Sequence, residues 1–117
     1  MRETVLVIDD HEEFRRSARS LLEADGFDVV GEAATGVEGC RIAGRLRPRL
    51  VVLDLRLPDI DGFEVAERLA SLDQPPDVVL VSSRDATAYV PRLSSAPVRG
   101  FLPKSELSGA ALRRLLS

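Results

Sequence analysis

The sequence predicts an α/β fold, a doubly wound (βα)5 unit on a five-stranded parallel sheet. Two observations carry this. Uniformly apolar runs recur along the chain: Val5 to Ile8, Leu50 to Leu53, Val78 to Val81 and Val98 to Leu102. Continuous β-branched runs of this length mark strands buried on both faces, as parallel strands are. The stretches between them switch to helical spacing, and right-handed crossovers would place those helices on both faces of the sheet. A third observation points to function. The first three runs end in Asp9-Asp10, Asp54 and Ser82-Ser83, and the fourth is followed by Lys104. Parallel strands share one carboxyl edge, where such sheets bind ligands near the switch in strand order.

The elements follow in order. After the first strand, Phe14, Ala18, Leu21 and Leu22 fall on one helical face. Glu12 and Glu13 stand in the first turn, where the helix dipole favours them, and Gly26 ends the helix. Phe27 to Val30 is the second strand. Val37, Cys40 or Arg41, and Ala43 to Leu46 form the second helix, which stops before Pro48. Leu50 to Asp54 is the third strand. A turn over 58–62 leads to a helix with Phe63, Val65, Ala66 and Leu69, and Pro75-Pro76 ends it. Val78 to Ser82 is the fourth strand. Tyr89, Val90 and Leu93 then suggest a helix, which Pro91 makes short, late-starting or kinked, because an interior proline costs about 3 kcal/mol. Val98 to Leu102 is the fifth strand, and Pro103 at its end suits a sheet edge. Ser105 can cap a last helix with Leu107, Ala111, Leu112, Leu115 and Leu116.

A chain of 117 residues fits one domain with a real core, so residues 1–117 read as a single domain. A net charge of −3 gives no sign of nucleic-acid or membrane binding by this segment. The single cysteine, Cys40, excludes an internal disulfide and reads as a small core residue. No stretch reaches the ~18 apolar residues of a membrane span, and the first strand starts too early for a signal peptide. The chain reads as soluble and cytoplasmic.

Asp9, Asp10 and Asp54 would meet within a few ångströms. Three bare carboxylates repel, and a hard divalent cation relieves them. Oxygen ligands without Cys or His favour Mg2+, with Mn2+ as the substitute. Lys104 adds a point charge and Ser82 a hydroxyl donor. Together they make a place where a phosphoryl group can sit, and phosphoryl transfer needs this kind of charge neutralisation. Asp54 is placed to attack phosphorus and become an aspartyl phosphate. Singly, each residue has a plainer reading. Asp10 can cap the first helix, and Lys104 alone means nothing. Four matched strand ends argue for function.

These pieces resemble the response-regulator receiver domains of two-component signalling. The matching segments are Val5-Leu6-Val7-Ile8-Asp9-Asp10-His11, Val51 through Gly62, Val81-Ser82-Ser83 and Gly100-Phe101-Leu102-Pro103-Lys104. The resemblance implies a flavodoxin-like sheet of order 2-1-3-4-5. It implies that Asp54 is the phosphoacceptor for a sensor histidine kinase, in a module that catalyses only its own phosphorylation and dephosphorylation. It further implies Mg2+ on Asp9, Asp10, Asp54 and the backbone carbonyl of Arg56. Ser82 and Lys104 would contact the phosphoryl oxygens. Ser82 and Phe101 would act as the switch that repacks the face of the fourth helix, fifth strand and fifth helix, also the candidate homodimer surface. The wording most resembles receivers with a C-terminal helix-turn-helix output, which implies control of transcription through that domain or a separate effector. Two departures stand out. Ser105, not proline, follows the lysine, and Pro91 interrupts the fourth helix.

Arg56 and Arg84 each follow a site residue by two positions. They are either solvated surface arginines, paired with Asp59 or Asp85, or gates on water reaching the phosphoaspartate. His11 reads as a rim residue rather than a ligand. Tyr89 is packing, or a second switch. Asp59 and Asp61 do not fit an EF-hand loop, whose twelfth position would here be Arg68. Three other functions compete. A haloacid-dehalogenase-type phosphatase also uses an aspartate nucleophile and Mg2+, but wants an aspartate where Arg56 stands. A flavin binder wants a phosphate loop where this chain has Asp-Asp-His-Glu-Glu. A pseudo-receiver would bind partners without phosphorylation.

Overall fold

The computed structural model describes residues 2–83 and 90–117. Its elements alternate as β1 (Thr4–Ile8), α1 (Glu12–Ala24), β2 (Asp28–Ala33), α2 (Gly36–Leu46), β3 (Leu50–Asp54), α3 (Gly62–Ala70), β4 (Asp77–Ser82), α4 (Val90–Leu93), β5 (Gly100–Pro103) and α5 (Gly109–Leu116). All strands are parallel and form one sheet of order β2-β1-β3-β4-β5. Arg84 and Tyr89 lie outside the described residues.

Alternation along the buried strands splits the core in two. Leu6, Ile8, Val51, Leu53, Val78 and Leu80 point to the face covered by α2 and α3. Val5, Val7, Leu50, Val52, Val79 and Val81 point to the face of α1 and α5, where Ala18, Leu22, Phe27 and Leu112 meet them. β1 and β3 are almost wholly inaccessible, as expected of central strands with helices on both sides.

Several boundaries differ from the sequence reading. β2 starts one residue later and runs on to Ala33. Its register on β1 shifts between Val5 and Leu6, which brings Gly31, Glu32 and Ala33 opposite Leu6, Val7 and Ile8. Glu32 is tolerated there because Arg15 and Arg19 of α1 pair with it at 3.1 and 2.8 Å. In α1 the buried stripe is the i, i+4 line through Ala18 and Leu22, and Leu21 falls on its exposed flank. In α2 the small residues Gly36, Gly39 and Ala43 face inward and let the helix lie close to the sheet, which leaves Val37 and Leu46 exposed. β5 begins at Gly100, because Val98 is held in a turn by Ala96 and pairing with β4 opens only with the Arg99 N–H. Pro103 ends this edge strand opposite Ser82. Lys104–Glu106 forms a 3-10 turn, so Ser105 caps no helix. The cap of α5 is Ser108, whose extended backbone lets its hydroxyl accept from the Ala111 N–H at 3.0 Å.

α4 carries Pro91 in its first turn, where a missing N–H costs little. Arg92 ties it to α3 by lying over the Phe63 ring at 4.0 Å and pairing with Asp61 at 3.6 Å. Cys40 is half-buried against the α2–α3 core, and burial raises its thiol pKa.

Candidate phosphoryl and metal site

Each functional side chain is set by a strand end. β1 delivers Asp9 at its last ladder contact, where its N–H donates to the Ala33 carbonyl at 2.9 Å. Its carboxylate is fully buried. Oδ1 accepts from the His11 N–H at 2.8 Å, and Oδ2 lies 2.5 Å from the Lys104 ammonium. That last contact is an ion pair without a directed hydrogen bond. Asp10, one residue on, turns outward with a third of its side chain exposed, 3.1 Å from His11 Nδ1. β3 delivers Asp54, only 4% exposed, with Oδ1 accepting from the Arg56 N–H at 3.3 Å and Oδ2 3.6 Å from Lys104 Nζ.

Lys104 follows β5 and is 13% exposed on its side chain. Its ammonium spans Asp9 and Asp54 and lies 4.4 Å above the Phe14 ring. Ser82, buried at the end of β4, lines a cleft of about 250 Å³ with Asp10, His11, Asp54, Arg56 and Ser83. Asp9 and Lys104 do not line this cleft, and Lys104 meets it through its contact with Asp54.

The electrostatics follow from burial. Desolvation, with the nearby Asp9 charge, raises the Asp54 pKa above the ordinary carboxylate range. Lys104 and the Arg56 N–H only partly offset this. One ligand atom each from Asp9, Asp10, His11 and Asp54 falls within 4.8 Å of all the others. The residues therefore fit a hard divalent cation: the donors are mainly oxygens, one buried carboxylate oxygen, Asp9 Oδ2, has no directed hydrogen bond, and a second carboxylate is held against its own charge. His11 is the fourth member of this group, although its side chain is 66% exposed and the sequence reading placed it on the rim.

The β3–α3 loop that shapes the cleft is pinned at three points. The Leu55 N–H donates to Val81, Gly62 N–H donates to the Leu55 carbonyl at 2.8 Å, and the Asp59 carboxylate accepts from the N–H groups of Gly36 and Val37 at 2.8 and 2.9 Å. Asp59 thus caps α2, and those two bonds lower its pKa. A Cβ at Gly62 would stand 2.6 Å from the Asp54 carbonyl oxygen and 2.9 Å from the Leu55 Cα. Gly62→Ala is therefore expected to cost about 1–3 kcal/mol, the range for overpacking against backbone that cannot yield. Urea unfolding checks this; an unchanged midpoint would contradict it.

The structure brings Asp9, Asp10, Asp54, Ser82 and Lys104 together as the sequence reading expects. Arg56 is exposed at the cleft mouth, with its N–H on Asp54. Phe101 is half-buried against the α2–α3 side of the core. Arg84 and its proposed partner Asp85 lie outside the described residues. Three residues were not legible as site residues. Phe14 is a core hydrophobe that also faces Lys104, and Arg15 and Glu32 are charges 17 positions apart with no local signal linking them.

A doubly wound parallel sheet with an acid cluster, a hydroxyl and a lysine at its carboxyl edge defines a phosphoacceptor signalling module. The sequence matches the response regulator receiver domain family over residues 5–116, and the chain belongs to that family. It is 40% identical over 102 residues to BvgA of Bordetella pertussis, named for positive transcription regulation of virulence factors; the match covers 87% of this chain and 49% of BvgA. It is 34% identical over 113 residues to the response regulator GacA of Pseudomonas protegens, covering 96% of this chain and 51% of that protein. The chain thus spans about half the length of these relatives. The signal receiver domain of a NarL response regulator from Mycobacterium tuberculosis superposes with a TM-score of 0.86 at 32% identity, covering 99% and 98% of the two chains. Domains of this class are signalling modules. No helix among the described residues is long and apolar enough to cross a membrane.

Proposed function

We propose that Asp54 accepts a phosphoryl group from the histidine of a sensor kinase and that residues 1–117 act as a single receiver unit in the cytoplasm. The observation that carries this is the Lys104 ammonium set between the carboxylates of Asp9 and Asp54, which brings three different strand ends into one ion-pair cluster. In the reaction an Asp54 oxygen forms a bond to phosphorus as the bond to the donor imidazole nitrogen breaks. The Arg56 N–H orients the carboxylate, and burial keeps bulk water from competing. Lys104, 3.6 Å from Asp54, would exchange it for a phosphoryl oxygen, and Ser82, which lines the same cleft, would donate to another.

Asp9, Asp10 and Asp54, with the Arg56 backbone carbonyl, would hold Mg2+, for which Mn2+ can substitute. When bound, the ion neutralises the phosphoryl oxygens during transfer. The domain acts only on itself, catalysing its own phosphorylation and dephosphorylation. Ser82 and Phe101 relay the state to the α4–β5–α5 face, biasing a two-state equilibrium by one local charge. That face is the proposed homodimer surface. The transcription regulator BvgA supports an output on DNA, through a further domain or a separate effector, with no nucleic-acid contact by the receiver itself.

The test is incubation with acetyl phosphate and Mg2+, followed by intact-mass measurement. A stable 1:1 phosphoprotein that is lost in Asp54→Asn supports this reading. Rapid turnover of small phosphate esters would favour a phosphatase, and no phosphorylation under any condition would favour a pseudo-receiver.

A further inference from the structure

We propose that Arg15, held in place by Glu32, is a positioning residue that fixes the Asp9–Asp10 peptide and thereby sets the affinity of the acid cluster for a divalent cation. The inference rests on the metal reading above and extends it to residues outside the cluster.

Arg15 leaves α1 one turn past its start and is 15% exposed on its side chain. Nη1 donates to the Asp9 carbonyl oxygen at 2.6 Å, and Nε donates to Glu32 Oε1 at 3.1 Å. The other carboxylate oxygen of Glu32 accepts from Arg19 Nε at 2.8 Å. The carbonyl that Arg15 holds belongs to the peptide joining the two acids. The Asp9 N–H, on the other side of the same residue, is anchored to Ala33. The backbone that carries the acidic pair is thus held at both ends, by the sheet and by a charge-assisted hydrogen bond.

Without a cation, Asp9, Asp10 and Asp54 gain by moving apart. Asp9 is buried and paired with Lys104, and Asp54 sits in a central strand. Asp10, past the strand end and paired with the exposed His11, is the one with room to swing. The grip on the Asp9–Asp10 peptide opposes that swing, so less ordering remains when the ion binds. Glu32 has a second effect. By pairing with Arg15 on the side away from the acids, it directs the guanidinium to a neutral carbonyl. A guanidinium released from Glu32 would be free to turn to the Asp10 carboxylate and compete with the metal. Burial of Glu32 opposes its ionisation, but Arg19 and Arg15 outweigh it and keep the carboxylate charged.

Arg19 supplies the control. It shares Glu32 and also donates to the Val29 carbonyl at 3.0 Å, but makes no contact with Asp9. The experiment measures the Mg2+ dissociation constant of the full chain by NMR shift titration without phosphodonor, the metal-free thermal midpoint, and the rate of phosphorylation by acetyl phosphate across Mg2+ concentrations. Arg15→Ala is expected to weaken Mg2+ binding about tenfold, the lower end for partners that orient metal ligands. Saturating Mg2+ should return its phosphorylation rate close to that of the unaltered chain. Arg15→Lys should recover part of the affinity, and Glu32→Gln should lose part of it. Arg19→Ala, which loosens Glu32 but leaves the Arg15 bond to the Asp9 carbonyl in place, should lower the thermal midpoint and weaken Mg2+ binding clearly less than Arg15→Ala.

A folded Arg15→Ala that binds Mg2+ like the unaltered chain would overturn the proposal, as would an Arg19→Ala that weakens binding equally. If Arg15→Ala does not fold, Glu32→Gln decides: unchanged Mg2+ affinity there overturns it. An unaltered chain that binds no Mg2+ would overturn the metal reading and this inference together.

Discussion

Replacing Lys104 with alanine is expected to destabilise the metal-free protein by about 3–5 kcal/mol, the range for removing one partner of a buried ion pair. The size follows from what is left behind. Asp9 is fully inaccessible, and its Oδ2 has no directed hydrogen bond. Its close partner is the Lys104 ammonium at 2.5 Å, which also faces Asp54 at 3.6 Å. Without the ammonium, two buried carboxylates face each other uncompensated, and Phe14 loses the cation above its ring. The loss should shrink when Mg2+ is added, because a cation supplied from solution takes over the neutralisation. A ligand at a hundred times its dissociation constant returns about 2.7 kcal/mol. Urea unfolding with and without Mg2+ measures both parts. A loss below about 1 kcal/mol, the range of exposed ion pairs, would mean that Lys104 is a surface charge in solution.

Asp54→Asn should have the opposite effect on stability while abolishing phosphoryl uptake. Burial and the Asp9 charge raise the Asp54 pKa in the folded state. For such an acid the folded protein holds its proton more tightly than the unfolded chain. Its contribution to stability is therefore fully present below the unfolded pKa, roughly 4 for aspartate, and is lost as pH rises through the raised folded value. Metal-free protein should lose stability across that window, and Asp54→Asn should lack this segment of the curve. At neutral pH the variant should be more stable by on the order of 1–3 kcal/mol, the cost range for a buried polar group left imperfectly paired. Mg2+ should stabilise the unaltered chain increasingly with pH, since it binds the ionised carboxylates, and should do little for the variant. Thermal melts from pH 4 to 8 check this; an asparagine variant less stable than aspartate at neutral pH without metal would refute it.

Fold and site were legible in the sequence to different degrees. β1, β3 and β4 were plain because central parallel strands must be apolar on both faces, and the acids ending them were plain for the same reason. β2 was cut short because Gly31 and Glu32 break the apolar run, and what sustains the strand is a pair of arginines from another element. The sequence reading put the cap of the last helix at Ser105. The choice falls on Ser108 because the turn after Lys104 brings Gly109, not Glu106, to the Asp25 carboxylate, with Gly109 N–H donating at 2.8 Å. Asp59 entered the sequence reading only as a partner for a surface arginine or a rejected calcium-loop residue, because its actual partners, Gly36 and Val37, lie 23 and 22 residues away. The polar contacts that sequence reading missed join distant segments. Apolar period reports burial, and it does not report which charge finds which carbonyl.

The sheet is not uniformly buried from one side to the other. Every residue of β3 is buried, whereas every residue of β5 is only partly so, and its last position is a proline at the edge. The two halves of the site therefore stand at opposite ends of a gradient in local opening. Asp9 and Asp54, the two buried acids, ride on the segments hardest to open. The lysine and the aromatic ride on a segment whose excursions need far less. Such a division would let the domain keep Asp54, the proposed phosphoacceptor, rigid from one phosphorylation to the next. Motion is reserved for the margin, where a partner can sense it.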